Sequence, residues 1–244
     1  MWIDLHHHLL WGLDDGARSE EMTQGMLKKA AEEGVSVISA TAHAVPGRQA
    51  FPLALYRERL AAANAWAAEN GVPVQTVPGC EILYTPAAAH ELRNGAVPSL
   101  NGGRWVLVEF SPDDSYDTLE GAARNLRNEG WQVVFAHIER YECLKRLERV
   151  EALRQEYRVR MQVNAATFIE ERGFLRGRWL RKAMERELID VAASDAHSLA
   201  GRRCRMGEAR TAIAEQWGAE TVDALCRDNP AAILGLTLPD TAKE

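Results

Sequence analysis

The chain carries seven histidines, and six of them close short apolar runs. His6-His7-His8 follows Ile3-Asp4-Leu5, His43 follows Ser39-Ala40-Thr41-Ala42, and His137 follows Val133-Val134-Phe135-Ala136. His197 closes Ala193-Ser194-Asp195-Ala196, while Glu81 and Glu109 end two further runs. A carboxylate beside an apolar strand is costly unless it is paired or bound to a cation. Imidazole and carboxylate together form a donor set for zinc, manganese or iron rather than for calcium or magnesium alone. Successive side chains of a strand point to opposite faces, so His6 and His8 can share one ion while His7 points away. Asp195 and His197 repeat that spacing. His7 is accordingly expected to be structural, not a ligand. Asp14-Asp15-Gly16 would favour a turn in any protein, and it also offers Asp15 as one more ligand. Arg140 and Arg202 follow His137 and His197 closely. Arginine grips phosphate bidentately and stays charged, which makes both candidate substrate-binding and catalytic groups. His90 lies on a predicted helix and reads as a solvated surface residue.

The elements that would carry these groups are legible from periodicity. Strands are expected at 2–5, 35–41, 74–80, 105–108, 133–136, 160–163 and 189–194. Helices are expected between them at 20–33, 53–69, 87–94, 116–129, 142–156 and 178–187, with two more at 205–216 and 219–227. Ser19 can N-cap the first helix, with Glu20 and Glu21 in its first turn and Gly34 beyond its end. Pro52 suits the start of the second helix. Short strands alternating with helices imply βα units and a mainly parallel sheet, hence an α/β fold. If that sheet closes as a parallel barrel, the carboxyl ends of all its strands share one mouth. His6–His8, His43, Glu81, Glu109, His137, Asn164 and Asp195–His197 would then converge there.

The whole chain narrows the function class. With 244 residues and 27.2 kDa it fits one large α/β domain, and no linker or repeat marks a boundary, so a single unit over 1–244 is expected. A formal charge of −6 speaks against a nucleic-acid surface, which would normally carry a basic stripe. No apolar stretch approaches the roughly 20 residues that span a bilayer, so no membrane insertion is expected. No signal-peptide pattern precedes the first strand. Cys80, Cys143, Cys204 and Cys226 are scattered without a C-x-x-C pair, which suits reduced thiols and a cytoplasmic location. The tail after Leu236 is expected to fray.

Taken in order, the motifs resemble a known superfamily. They are Asp4-Leu5-His6-His7-His8, Asp14-Asp15-Gly16, Ser39-Ala40-Thr41-Ala42-His43, Gly79-Cys80-Glu81-Ile82-Leu83-Tyr84-Thr85 and Leu107-Val108-Glu109-Phe110. Ala136-His137-Ile138-Glu139-Arg140-Tyr141, Gln162-Val163-Asn164 and Ala193-Ser194-Asp195-Ala196-His197 complete the set. The set resembles the polymerase-and-histidinol-phosphatase (PHP) superfamily. Within it, the chain is similar to the bacterial metal-dependent tyrosine phosphatases of capsule and exopolysaccharide clusters. The resemblance implies a distorted seven-stranded, TIM-like (β/α) barrel holding three divalent metal ions, often manganese. It implies that His6, His8, Glu81 and Asp195 hold one ion. Glu81 would bridge to a second, completed by Glu109 and His137, while Asp15, His43 and His197 hold the third. Arg140 and Arg202 match the phosphate-binding arginines. The implied substrate is a phosphotyrosine protein, the tyrosine-rich tail of a bacterial tyrosine kinase. A water acidified toward pKa ~7 would attack phosphorus in line. Close relatives tend to carry a second histidine or a polar, basic stretch after the equivalent of His43. Here Ala44-Val45-Pro46-Gly47-Arg48 follows, which alters the loop that shapes substrate access.

Other chemistries compete. C-x5-R occurs at Cys143–Arg149 and Cys204–Arg210, the spacing of cysteine-dependent phosphatases. That chemistry needs a phosphate nest of backbone amides, whereas both stretches read as helical. A PHP phosphatase acting on histidinol phosphate or a nucleotide is the alternative closest in mechanism. An amidohydrolase would use a bridging lysine where glutamates stand here, and a non-catalytic metal-binding barrel would not need the two arginines.

Overall fold

The structure, a computed structural model, describes residues 1–170 and 177–238. Among the described residues nine strands are parallel wherever they pair: β1 (Trp2–His7), β2 (Val35–Ala40), β3 (His43–Ala44), β4 (Gln75–Pro78), β5 (Glu81–Leu83), β6 (Trp105–Glu109), β7 (Gln132–Phe135), β8 (Arg160–Asn164) and β9 (Val191–Ala193). They form one sheet of order β1-β2-β4 and another of order β3-β5-β6-β7-β8-β9. The chain is α/β with parallel sheets, as expected. Backbone hydrogen bonds also tie β1 to the segment after β9, from Asp195 N–H to His6 O and from His8 N–H to Ala196 O, both 2.9 Å.

Two of the expected strands end early as β2 and β4, and each is followed by a short strand that was not expected, β3 and β5. The physical reason lies at Gly79 and Tyr56. A Cβ at Gly79 would meet Ser39 Oγ at 2.5 Å, so only glycine allows the two chain segments to approach there. The buried Tyr56 hydroxyl donates to Ala40 O and accepts from Gly79 N–H, both at 2.8 Å. It thereby replaces ladder hydrogen bonds where both strands turn.

The helices follow the amphipathic reading closely. They are α1 (Glu20–Glu32), α2 (Leu53–Glu69), α3 (Ala88–Arg93), α4 (Tyr116–Asn128), α5 (Leu147–Tyr157), α6 (Ala165–Glu170), α7 (Arg178–Glu185), α8 (Met206–Trp217), α9 (Ala219–Asp223) and α10 (Asn229–Leu234). Ser19 Oγ accepts the Met22 N–H at 3.3 Å and caps α1, and Gly34 takes a φ of 76° just beyond its end. The expected helix at 142–156 is divided into a 3-10 turn, Glu142–Lys145, and α5. The six-residue helices α6 and α10 were not expected. Residues 239–244 of the tail lie outside the described residues. Among the described residues no helix is long and apolar enough to cross a membrane.

Two buried apolar layers flank the strands. Ile3, Leu5, Val37, Val77, Leu107, Val134 and Val191 form one with Ile233 and Leu234 of α10. Ile38, Tyr56, Leu119, Phe135, Leu153 and Met206 belong to the other, against the remaining helices. β1 carries a bulge that sets which way its histidines point. Asp4 pairs with Ile38 and His7 with Ala40, so three steps on β1 span two on β2. One extra residue reverses the alternation beyond Leu5. Unbroken alternation from Ile3 and Leu5 would have sent His7, not His6 and His8, to their side.

Candidate metal centre

The carboxyl ends of β1, β6, β7 and β9 and the starts of β3 and β5 gather the expected residues. His6 and His8 sit at the end of β1, His43 opens β3, Glu81 opens β5, Glu109 closes β6, and His137 and Asp195 follow β7 and β9. His137 and Asp195 have φ values of 32° and 53°. Non-glycine residues take that left-handed backbone at some cost, and such positions cluster at functional sites.

The ring nitrogens decide what this cluster can bind. His6 Nδ1 faces Gln162 Oε1 at 3.2 Å, and the same oxygen accepts the His137 backbone N–H at 2.8 Å. The His6 proton therefore belongs on Nδ1, leaving a lone pair on Nε2. His8 Nδ1 faces Asp14 Oδ2 at 2.7 Å, which assigns its Nε2 in the same way. The two Nε2 atoms lie 3.0 Å apart. Glu81 Oε2 lies 3.0 and 3.1 Å from them, and Asp195 Oδ1 3.4 and 3.6 Å. All four residues are buried. Once His8 gives up the proton that Asp14 and Glu81 stabilise on its ring, four acceptors point at one another, an arrangement that a cation satisfies.

Two further groups adjoin this one. His43 Nδ1 lies 3.2 Å from Glu81 Oε2 and 2.9 Å from Glu109 Oε1. His137 Nε2 lies 2.7 Å from Glu81 Oε1 and 3.7 Å from Glu109 Oε2. His43 Nε2 and His197 Nε2 approach Asp15 Oδ1 at 3.4 and 3.3 Å. His197 Nδ1 faces the Asp195 carbonyl at 2.9 Å, and its buried Nε2 has no hydrogen-bond partner. His43 thus stands between the second and third groups. Asp15 keeps 62% of its side-chain exposure, so the third group opens to solvent while the first is sealed. The charges respond to this packing. Burial disfavours ionised Glu81, but His6, His137 and His8 outweigh it and hold its carboxyl well below the ordinary range.

The arginines sit at the rim. Arg140 Nη2 reaches Asp195 Oδ2 at 2.6 Å, and Arg202 Nη2 lies 3.0 Å from both Asp195 oxygens. Both side chains remain more than two-fifths exposed. A recess of about 450 Å³ beside Arg202 is lined by Asp15, Gly16 and His197.

The model of the capsular polysaccharide synthesis family CpsB/CapC matches residues 2–235. The chain belongs to the CpsB/CapC family. The tyrosine-protein phosphatase CpsB of Streptococcus pneumoniae is 32% identical to it over 238 residues, covering 95% of this chain and 98% of that protein. The tyrosine-protein phosphatase YwqE of Bacillus subtilis is 27% identical, covering 89% and 86%. A crystal structure from the pair YwqE and CpsB, described as metal-dependent tyrosine phosphatases, superposes with a TM-score of 0.86. It is 25% identical and covers 97% of this chain and 96% of its own. A histidinol phosphate phosphatase of Lactococcus lactis shares the fold, with a TM-score of 0.57, 17% identity, and coverage of 88% and 93%.

In this CpsB/CapC member several supporting residues escaped the sequence reading. Asp14, adjacent to the expected ligand Asp15, orients His8 and also accepts the backbone N–H of His43 at 3.0 Å and of Gly16 at 2.9 Å. Gln162 orients His6, while Asn164, which the sequence already placed at the mouth, donates from Nδ2 to Asp195 Oδ2 at 2.8 Å. The Tyr141 hydroxyl lies 3.3 Å from His137 Nδ1. Adjacency to a ligand was the available signal for Asp14; Gln162 and Tyr141 needed the fold. Partners that orient a ligating imidazole typically matter about 10–100-fold in metal affinity. Asp14→Ala should therefore weaken metal binding by roughly that factor, which titration of the metal-free chain with manganese would measure.

His7 lies away from these groups, as strand geometry suggested, with both ring nitrogens buried and unpartnered. Burial lowers its pKa to about 3, so it is neutral. His90 is exposed and pairs with Asn94 Nδ2 at 2.8 Å. The cysteine alternative is disfavoured. Cys204 is buried and Cys143 half-buried, and burial pushes both thiols up, away from the thiolate a nucleophile needs.

Proposed function

We propose that this chain is a metal-dependent protein-tyrosine phosphatase that acts on a bacterial tyrosine kinase regulating capsule or exopolysaccharide synthesis. The observation that carries the reading is the convergence of His6, His8, Glu81 and Asp195 on one buried point beneath two rim arginines. The names of its CpsB and YwqE relatives support it. On this reading residues 1–244 form one distorted seven-stranded barrel, with β2–β3 and β4–β5 each counting as one strand. Three divalent cations, manganese in preference to iron or zinc, occupy the three groups. His6, His8, Glu81 and Asp195 hold the first, and Glu81, Glu109 and His137 the second. Asp15, His43 and His197 hold the third. The kinase's tyrosine-rich tail is the substrate, and the site of action is the cytoplasm.

When bound, the cations supply an acidified water and charge to offset that of the phosphoryl oxygens. The chain's own residues do the rest. Arg140 and Arg202 leave Asp195 in part to grip the phosphate, since their exposed guanidinium groups face the open rim. Glu81 keeps the imidazoles fixed, so the charge distribution is set before substrate arrives. The phenol leaving group, with a pKa near ~10, reduces the need for a strong general acid.

The test is elemental analysis of the purified chain coupled to a panel of phosphotyrosine peptide, histidinol phosphate and nucleotides. Hydrolysis confined to histidinol phosphate or nucleotides would reject the phosphotyrosine reading. Arg140→Ala should lower kcat/KM by about 10- to 100-fold without loss of metal, because arginine binds the substrate rather than the cation. Metal loss in that variant, seen by the same elemental analysis, would reassign its role.

A further inference from the structure

A second concentration of positive charge lies outside the candidate centre. Lys145, Arg146, Arg178, Lys182 and Arg186 line a surface groove of about 480 Å³, with Trp179 in its wall. Among the described residues Glu148 is the one carboxylate in that lining. On a chain of formal charge −6, these five cations outnumber Glu148 of the lining and Glu151 beside it, and so reverse the local sign. All five cations are exposed.

The groove is tied to the segment that carries Arg140. Trp179 Nε1 donates to Leu144 O at 3.1 Å, which pins α7 to the turn Glu142–Lys145. The Lys145 ammonium lies 5.7 Å above the Trp179 ring and donates to the carbonyl of Glu139. Glu139 is the neighbour of Arg140, which faces Asp195 in the centre. Lys145 of the groove therefore contacts the residue next to Arg140, half of the proposed phosphate grip. At the other end Arg186 is engaged by Glu148 at 3.1 Å and Glu151 at 3.3 Å.

Exposed single ion pairs contribute little, but adjacent like charges raise a field that attracts and orients polyanions. Because none of the five cations is buried, they suit an extended acidic segment better than a single enclosed anion. The half-buried Trp179 adds an apolar surface on which such a segment can lie.

We propose that this groove docks acidic side chains flanking the phosphotyrosine of the protein substrate while the phosphate occupies the centre. The inference rests on the phosphotyrosine reading above. Its test compares two phosphotyrosine peptides of equal length, one flanked by glutamates and one by serines, with the metal-loaded chain. The glutamate peptide should show a KM roughly tenfold lower. Arg178→Glu with Lys182→Glu should erase that difference while leaving para-nitrophenyl phosphate turnover unchanged, and Arg178→Gln with Lys182→Gln should erase part of it. Should the charge-reversed chain fail to fold, ionic strength serves on the wild type. Raising it from about 0.01 M to about 1 M shortens screening from about 30 Å to about 3 Å and should collapse the preference. Equal KM values for the two peptides, or a preference that survives in the variants, would overturn the groove's role but not the phosphatase. Sedimentation of the chain with anionic vesicles alongside equal KM values would reassign the groove to a lipid surface. Hydrolysis of para-nitrophenyl phosphate but of neither peptide would overturn the phosphotyrosine reading itself, and the inference with it.

Discussion

Glu81→Gln should lower kcat/KM toward a phosphotyrosine peptide by roughly three orders of magnitude or more, without loss of secondary structure. Glu81 is the shared member of the cluster. Its Oε2 lies 3.0, 3.1 and 3.2 Å from nitrogens of His6, His8 and His43, and its Oε1 lies 2.7 Å from His137. Glutamine keeps the volume and removes the charge. Its amide can also donate to an imidazole lone pair, so the neutral side chain satisfies the buried nitrogens that otherwise call for a cation. The variant should fold, show native circular dichroism and contain little metal by elemental analysis. A Glu81→Gln chain with full metal content and near-native turnover would rule out the proposed centre.

Chelation of the native chain should bring turnover to background, and reloading with manganese near pH ~7.5 should release roughly two protons per chain. The protons come from His8 and His137. Burial favours the neutral form of His8, but hydrogen bonds to Asp14 and Glu81 outweigh it and push its pKa up to about 10. At His137 burial is likewise outweighed, by Glu109 and Glu81, and the pKa rises to about 9. Cations displace those protons, so metal affinity should fall as pH falls. In the metal-free chain the imidazolium contribution to stability is fully present below the unfolded value of about 6.5. It fades as pH rises through 9 to 10. The Tm of the metal-free chain should therefore drop between pH ~7 and ~10, while that of the loaded chain should not. Calorimetric titration in two buffers of different ionisation heat measures the proton count. Full activity in excess EDTA, or metal uptake without proton release, would contradict this account.

Much of the architecture is local in origin and therefore legible in the sequence. The helix α2 occupies Leu53–Glu69, the span that apolar periodicity and Pro52 suggest, and Ser19 caps α1 as its type predicts. The candidate ligands stand out for the same reason, because imidazoles and carboxylates at the ends of apolar runs conflict with burial unless something binds them. Side-chain alternation separates His7 from His6 and His8 within a strand.

What remained hidden depends on contacts between distant residues. The bulge that turns His6 and His8 to the side of Ile3 and Leu5 is a property of the register between β1 and β2, not of either strand. The breaks after β2 and β4 come from the Tyr56 hydroxyl and the close approach at Gly79. His6 takes its tautomer from Gln162, 156 residues away, and His43 falls between two ligand groups only once β3 lies beside β5. Periodicity and caps are set by neighbours within a turn or two, so the sequence alone determined the elements and the donor types. Lone-pair direction is set by whichever group the fold brings opposite, so only the tertiary structure decided that four acceptors would meet at one point.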